Sequence, residues 1–450
     1  MRVIFAIMVC KALKAVGKLL KRGSSLPGQI ALKLYPNILK KIKMPQYVVA
    51  ITGSNGKTTT VEMTAHALQA AGKNLIYNKE GSNQIEGVAT LILSNCTFFG
   101  RVKADILLLE SDERYAKHTF KYFTPTHYCI TNLCRDQLTR NGHPEWVFDD
   151  IKRSIRPGTT LVLNADDPLV SLFAHNEDAP KNEEQPQKTG KNVWFGINRT
   201  NTSQEEVTAM YNDFYFCPKC NAKMDFDYVH YSTMGAFSCP KCGYKKHATD
   251  YTVTQVDEPA DEITIDGQFK IKLAQKGMHN IYNLLAAFAL CGQLGLNPQT
   301  TADALSGYTL TNGRTLRFAL GGRKGVLLTS KHENSVSYDQ SLKIAANSGE
   351  QCDVLIIVDA ISRKYFTGET SWLWDINFNL LNNPNIGEIY LCGTYCSDLA
   401  LRFEYTDIAQ SKIHAYSNIA EGVGKLKSSS KKLFVITCFS DKDKFLVLTD

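Results

Sequence analysis

The stretch Tyr47-Val48-Val49-Ala50-Ile51-Thr52-Gly53-Ser54-Asn55-Gly56-Lys57-Thr58-Thr59-Thr60 decides the fold. A β-branched apolar run stops at a loop holding two glycines. Lys57-Thr58-Thr59 then opens a segment with helical spacing at Val61, Ala65, Leu68 and Ala71. Strand, glycine loop and helix in that order bind a nucleotide phosphate. Glycines let backbone N–H groups curl around an anion and the helix N-terminus adds partial positive charge, while a lysine reaches the outer phosphates and a threonine holds Mg²⁺. The general pattern places a glycine five residues before Gly56, where this chain has Ile51; Gly53 makes it the shorter Gly-x-x-Gly-Lys-Thr form. An ordinary glycine turn before a helix is the competing interpretation, and Lys-Thr in register with both flanking elements argues against it. Gly53, Ser54, Asn55, Gly56, Lys57, Thr58 and Thr59 are the expected ATP loop. Lys57 is expected on the surface of that loop, contributing little to packing.

Outward from this loop, strands alternate with helices. Gly72 closes the first helix, Asn74 to Tyr77 reads as a short strand, and a loop at Glu80-Gly81-Ser82-Asn83 precedes a helix through Ile85, Val88, Ala89 and Ile92. Ile106 to Leu109 runs into Glu110-Ser111-Asp112-Glu113, and His127 to Thr131 into Asn132-Leu133-Cys134-Arg135-Asp136-Gln137. Leu161 to Leu163 ends in Asn164-Ala165-Asp166-Asp167-Pro168, and Val193 to Gly196 returns to the sheet. Polar residues massed at the C-terminal ends of the strands predict a doubly wound parallel α/β sheet that binds ligands at that edge. Glu110 is then placed as a second Mg²⁺ ligand or water-holding group beside Thr58. A solvated strand-end carboxylate is the alternative.

Cys217-Pro218-Lys219-Cys220 and Cys239-Pro240-Lys241-Cys242 are separated by eighteen residues. Two such knuckles close one tetrahedral thiolate site, so Zn²⁺ on Cys217, Cys220, Cys239 and Cys242 is expected, in a ribbon inserted at about 211–250. Ile263 to Ile271 alternates around Asp266-Gly267 and predicts a hairpin. A long apolar helix from Ile281 to Leu294 follows Gly277-Met278-His279-Asn280. Asn280 and Asn283 stand at its start, where capping is their ordinary role. From about residue 312, strands at 326–328, 354–358, 389–391 and 433–436 between helical stretches predict a second, smaller α/β domain. The expected division is 1–45, 46–311 and 312–450.

With 450 residues, 44% apolar and 21% charged, the chain reads as soluble and globular with ample core. Its net charge of +7 is unevenly placed, since no Asp or Glu precedes Glu62 while ten Lys or Arg residues precede Tyr47. Val3 to Cys10 is apolar but too short to span a bilayer, and no small-residue cleavage site follows, so neither an anchor nor a signal peptide is expected. Lys11, Lys14, Lys18 and Lys21 share one helical face with Leu13, Val16, Leu19 and Leu20 around them. Such a helix either lies on an anionic membrane surface or packs its apolar side on the next domain. The nine cysteines outside the knuckles are scattered, as in a reducing cytoplasm.

Several of these stretches together resemble the Mur ligases, which join an amine to a carboxylate activated by ATP. The matching pieces are Gly53 to Thr58, Glu110, Asn164 to Pro168, His279-Asn280 with Asn283, and Gly313-Arg314. The resemblance implies ATP and Mg²⁺ on the loop and Glu110, adenine near Asn280 and Asn283, and Arg314 near the phosphates. Arg22 to Gly28, Asn132 to Leu138, the four-cysteine insertion and Thr370-Ser371-Trp372-Leu373-Trp374-Asp375 are similar to the branch that forms the ligase subunit of lipid II isoglutaminyl synthase. That resemblance implies amidation of the D-glutamate α-carboxyl of the lipid II stem peptide in peptidoglycan synthesis. It also implies ammonia from a GatD-like glutaminase partner, in the cytoplasm or at the inner face of the membrane.

In that branch an acid just before Ser-Trp completes the partner's Cys-His triad. Aspartate is the usual residue; this chain has Glu369, and Asp359 to Gly368 departs from the branch's pattern, leaving Asp359 as the alternative. The competing functions are another ATP-dependent amide ligase taking its amine directly, and a non-catalytic nucleotide-binding subunit. The ribbon and the Trp-rich segment argue against the first, and intact Lys57, Thr58 and Glu110 against the second. Nucleic-acid binding lacks the aromatic interleaving that base stacking needs.

Overall fold

The computed structural model describes residues 1–19, 25–78, 83–175, 190–207, 210–211, 214–310, 315–361, 368–426 and 431–450. Arg314, Lys21, Leu20, the Arg22-Gly23-Ser24 part of the first motif and the Glu80-Gly81-Ser82 loop lie outside them. The chain forms two compact units. The first comprises Met1–Leu133, Glu145–Val207 and Phe214–Leu310; the second comprises Cys134–Pro144, Thr208–Asp213 and Thr311–Asp450.

In the first unit, strands β1 (Tyr47–Thr52), β2 (Leu75–Tyr77), β3 (Ile106–Glu110), β4 (His127–Ile130), β5 (Thr160–Asn164) and β6 (Asn192–Ile197) are joined by a hairpin, β7 (Asp225–Tyr231) and β8 (Met234–Ser238), standing apart from the main sheet. Then follow β9 (Tyr251–Asp257), β10 (Glu262–Ile265) and β11 (Phe269–Lys272). Among the described residues the main sheet runs β11-β10-β9-β6-β5-β4-β1-β3-β2. β1 pairs in parallel with β3 on one side and β4 on the other, Ala50 facing Leu109 and Tyr128. A central parallel strand is covered on both faces, which is why Val48 to Ile51 is apolar without alternation. Chain order reverses across β1, so the crevice beyond its C-terminal end is the natural ligand site of such a sheet. Asp266 and Gly267 both adopt positive φ between β10 and β11, the turn an Asp-Gly pair favours.

Helices α1 (Arg2–Leu19) and α2 (Leu26–Leu34) precede β1; α3 (Lys57–Ala70) follows it and α4 (Ile85–Ser94) follows β2. α1 buries Ala6, Ile7 and Cys10 in the core shared with Ala31, Val88 and Ile92. Lys11 Nζ donates to the Ser94 carbonyl at 3.0 Å. One side of the basic helix is therefore packed on its own unit.

The second unit holds β12 (Thr315–Leu320), β13 (Arg323–Ser330), β14 (Cys352–Ile357), β15 (Ile386–Cys392), β16 (Ile413–Tyr416) and β17 (Lys432–Cys438), ordered β12-β13-β17-β14-β15-β16. Only β12 is antiparallel to its neighbour. Four of these strands are expected from their apolar runs; β12 and β16 are not. Both are edge strands whose alternating or polar composition gives no continuous apolar run. Arg323 and Asp353 form a buried pair at 2.6 Å near the floor of this sheet.

Candidate functional site

Gly53 and Gly56 take φ of +135° and +83°, and Gly56 stands immediately before α3. A Cβ at Gly53 would lie 2.3 Å from Thr131 Oγ1, and one at Gly56 would lie 1.9 Å from Asn283 Oδ1. Both positions therefore need glycine for conformation and for space. The first intrahelical bond runs from the Thr60 N–H to the Gly56 carbonyl at 2.8 Å, so the open end of α3 points into the crevice with Lys57, Thr58 and Thr59 in its first turn.

Thr58 and Glu110, 52 residues apart in sequence, meet directly: the Thr58 hydroxyl donates to Glu110 Oε2 at 2.9 Å. Asn83 Nδ2 reaches Glu110 Oε1 at 3.4 Å. An exposed hydroxyl and a buried carboxylate sharing an edge of the sheet form an oxygen donor pair of the kind Mg²⁺ takes. This juxtaposition follows from β3 lying beside β1.

Lys57 departs from expectation. It is only 8% exposed, its Nζ lies 3.0 Å from Glu113 Oε2, and it donates to the Gly53 carbonyl at 2.5 Å. Glu113 is itself 2% exposed. The lysine is thus a buried, paired residue rather than a surface one, and a low-dielectric site makes its removal costly.

The loop is also clamped by residues that sequence reasoning left without a role. The Asn55 N–H donates to Asn132 Oδ1 at 2.9 Å, Asn132 Nδ2 donates to the Asn55 carbonyl at 3.0 Å, and the Ser54 N–H donates to the Asn132 carbonyl at 2.9 Å. The Thr131 hydroxyl adds a bond of 2.7 Å to the Asn55 carbonyl. The Ser54 and Asn55 amides are therefore engaged in holding the turn, which leaves the α3 first turn as the loop's anion-facing end. The hints in the sequence are that Thr131-Asn132 directly follows the His127–Ile130 strand and that Asn132 opens the Asn132 to Leu138 stretch noted above.

Asn280 and Asn283 lie within the Met278–Gln293 helix, whose N-cap is Gly277 with no side-chain cap. The capping role is thereby excluded. Asn280 Nδ2 instead donates to the Lys276 carbonyl at 2.9 Å, and Asn283 is buried against Gly56. The structure thus brings Asn283 to the phosphate loop. Tyr282, its neighbour, donates to Asp166 Oδ2 at 2.6 Å.

Asp166 is fully buried and also pairs with Lys246 Nζ at 2.5 Å. Lys246 follows the second cysteine knuckle, and Tyr244 beside it donates to the Pro168 carbonyl at 2.5 Å. Asp167 accepts the N–H groups of Leu133, Leu169 and Val170 at 2.7, 2.9 and 3.0 Å. Burial pushes its carboxyl up to about 7 against the pull of those donors. The Asn164 to Pro168 turn is in this way the seat on which the cysteine ribbon is fixed.

The four knuckle sulfurs lie within 4.8 Å of one another, with Cys217–Cys242 at 3.6 Å and Cys220–Cys239 at 3.5 Å. Tetrahedral Zn–S bonds of about 2.3 Å require sulfurs about 3.8 Å apart. The donor set and its size fit one Zn²⁺. Burial raises a thiol's pKa, yet the N–H groups of Cys242 and Lys241 bring Cys239 down to about 6, the direction a thiolate ligand needs. Met224, Phe237 and Tyr244 form a small core beside Cys217 and Cys239, too little to hold a ribbon by itself.

Glu369 and Asp359 belong to the second unit. Asp359 follows β14, where Thr394 donates to it from both N–H (2.8 Å) and hydroxyl (2.7 Å) and Lys444 donates to its other oxygen. Glu369 is exposed and accepts the Ser371 N–H at 2.7 Å. Hydrogen bonds from Ser371 hold its carboxyl below the usual range. Two motifs distant in sequence meet in this unit: Arg135 Nη1 lies 3.1 Å from Asp375 Oδ2, and its guanidinium stacks on Tyr211. Asp136 accepts from Lys331 and from Asn334 Nδ2, the latter at 3.0 Å.

Residues 51–220 match the Mur ligase middle domain and residues 332–441 match the MurT ligase C-terminal family. The chain is 32% identical over 403 residues to the lipid II isoglutaminyl synthase (glutamine-hydrolyzing) subunit MurT of Staphylococcus aureus (strain COL), covering 88% of this chain and 86% of that one. The protein of the same name from Streptococcus pneumoniae (strain ATCC BAA-255 / R6) is 29% identical over 421 residues, covering 92% and 89%. Among solved structures, a pseudomurein peptide ligase type C from Methanothermus fervidus aligns with TM-score 0.67 at 18% identity, covering 92% of this chain and 80% of that one, a likeness of fold.

Proposed function

The chain belongs to the MurT family of Mur ligases, and from that premise we propose that it is the ligase subunit of a lipid II isoglutaminyl synthase. Its substrate is the D-glutamate α-carboxyl of the lipid II stem peptide, and its product the D-isoglutamine amide. A carboxylate is a poor electrophile. Its oxygen attacks the γ-phosphorus of ATP and ADP leaves; ammonia then attacks the acyl carbon, phosphate departs and a proton is lost to give the amide.

Lys57 and the first turn of α3 hold the β- and γ-phosphates. Thr58 and Glu110 would hold Mg²⁺, which when bound would neutralise charge on the transferring group. Asn280 and Asn283 serve the nucleoside end, and Arg314 the phosphates. The ribbon cysteines would hold Zn²⁺ in a structural role. The MurT relatives are named as subunits of a glutamine-hydrolyzing synthase, which supports a GatD-like partner as the source of ammonia, with Glu369 orienting its histidine. Asp359 has both carboxylate oxygens engaged, which favours Glu369 for that task. Lipid II sets the place of work at the inner face of the cell membrane.

The direct Thr58–Glu110 contact beside a glycine loop, in a chain so extensively related to MurT subunits, carries this assignment. It is tested by mass spectrometry of lipid II incubated with ATP, glutamine and the partner glutaminase, and in parallel with ammonium alone. Conversion of one carboxyl to a carboxamide is expected in both. Its absence from the ammonium reaction would refute the ligase assignment.

A further inference from the structure

Helix α1 is apolar on two sides. Ala6, Ile7 and Cys10 are buried, while Phe5 and Met8 are 54% and 45% exposed, and Met1, Ala12, Ala15 and Val16 continue the exposed stripe at spacings of three and four residues. A helix facing only water and its own core carries polar residues outside, so this second stripe is unaccounted for by the fold. The Phe98-Phe99 turn extends the patch, with Phe99 89% exposed. Lys11 ties the two together, its Nζ 5.6 Å over the Phe98 ring while it bonds the end of α4. Isolated exposed apolar residues are ordinary; an exposed apolar stripe along one helix, joined through Lys11 to two exposed phenylalanines, marks a binding surface.

The surrounding charge identifies what binds there. Arg2 and Lys18 are exposed along α1, and Arg101 and Lys103 follow the aromatic turn, with Asp105 the first acid beyond it. Ten Lys or Arg residues and no acid precede Tyr47. Protein interfaces are depleted in lysine, whereas an anionic lipid surface attracts it and accepts aromatic and aliphatic side chains beneath the headgroups. Among the described residues no helix is long and apolar enough to cross a membrane.

We propose that the outer face of α1 and the Phe98-Phe99 turn insert into the headgroup layer of an anionic bilayer, with the neighbouring lysines and arginines at the phosphates. This deepens the lipid II assignment, on which it rests only for its purpose: a lipid-borne substrate is met by a protein already resting on its membrane.

The test is co-sedimentation of the full chain with vesicles of phosphatidylglycerol and phosphatidylcholine, without lipid II, nucleotide or glutamine. Wild type is expected to bind, and to release at high salt or on pure phosphatidylcholine. The triple variant Phe5→Ser, Met8→Ser, Phe99→Ser is expected to bind at least about tenfold more weakly while still unfolding in one cooperative thermal transition, since Phe5 and Met8 are half exposed and Phe99 nearly fully so. Its amidation of detergent-dispersed lipid II should be unchanged, so loss of vesicle binding is distinguishable from failure of the ligase assignment. Wild type that ignores anionic vesicles, a triple variant that binds as wild type does, or binding indifferent to lipid charge would each overturn the proposal. So would a triple variant that keeps its vesicle affinity but loses the glutaminase partner.

Discussion

The C-terminal edges of the two parallel sheets carry different kinds of chemistry. At the first, the side chains expected from sequence meet one another: Thr58 touches Glu110, Asn283 seats against Gly56, and Lys57 is sealed by Glu113. At the second, Asp359 is consumed by Thr394 and Lys444, and Glu369 stands exposed, accepting the Ser371 N–H. A site whose groups complete each other acts within one chain; an exposed acid that meets Ser371 among the described residues stays open to a group from another molecule. The contrast matches the proposed division, phosphoryl transfer here and glutamine hydrolysis in a partner.

The sharpest way to break the comparison is at Lys57. Lys57→Ala should reduce ATP turnover by roughly a thousandfold or more, and leaving Glu113 buried without its ammonium should cost about 3–5 kcal/mol. Adding Glu113→Gln should restore much of the stability, read as the urea midpoint, and none of the turnover. If Lys57→Ala alone left stability untouched, the first site would not be the closed assembly described.

Next comes the metal ribbon that braces the first site. Metal analysis should find about one Zn²⁺ per chain, and Cys239→Ser or chelation should lower the Tm, because the small core around Phe237 cannot hold the ribbon alone. Lys246→Met should cost about 3–5 kcal/mol by stranding Asp166, and through Tyr282 and Asn283 it should also raise the KM for ATP. A metal-free protein with full stability would remove the zinc assignment.

At the second site, Glu369→Gln should cut glutamine-driven amidation by roughly a hundredfold or more while sparing the ammonium-driven reaction. Equal loss in both assays would make Glu369 structural. Loss in neither would pass the role to Asp359 or to the partner. The smallest effect concerns Asp359. Burial raises its carboxyl pKa, but Lys444 and Thr394 outweigh it and hold it below the usual value. A depressed carboxylate pKa contributes stability that is present above the unfolded value near 3.9 and lost as pH falls through the lower folded one. For a half-exposed pair this is at most about 1 kcal/mol. Asp359→Asn, which leaves Lys444 on the buried Asp441, should therefore narrow the difference in urea midpoint between pH 3 and pH 6, and an unchanged difference would show the Asp359 pair to be inert.

Much of this was legible because the informative residues are neighbours in sequence. The glycine loop, the two cysteine knuckles and the Asp-Gly turn each place their groups within a few residues, and backbone geometry leaves few arrangements for them. Four strands of the second sheet were legible because buried parallel strands are uniformly apolar. The edge strands β12 and β16 escaped, since edge positions do not impose that pattern.

By itself, the sequence determined which residues carry the proposed chemistry: a glycine loop and a strand-end glutamate, four cysteines spaced for one metal ion, and an excess of positive charge before Tyr47. These depend on residue type and short spacing. Tertiary structure alone decided that Lys57 is a buried ion pair, that Asn132 clamps the loop, that Asn283 faces Gly56 instead of capping its helix, and that α1 keeps an apolar face in solvent. Each of these depends on which strands lie side by side and which helix faces are covered. Sheet order is set by packing the whole chain, and no local spacing encodes it.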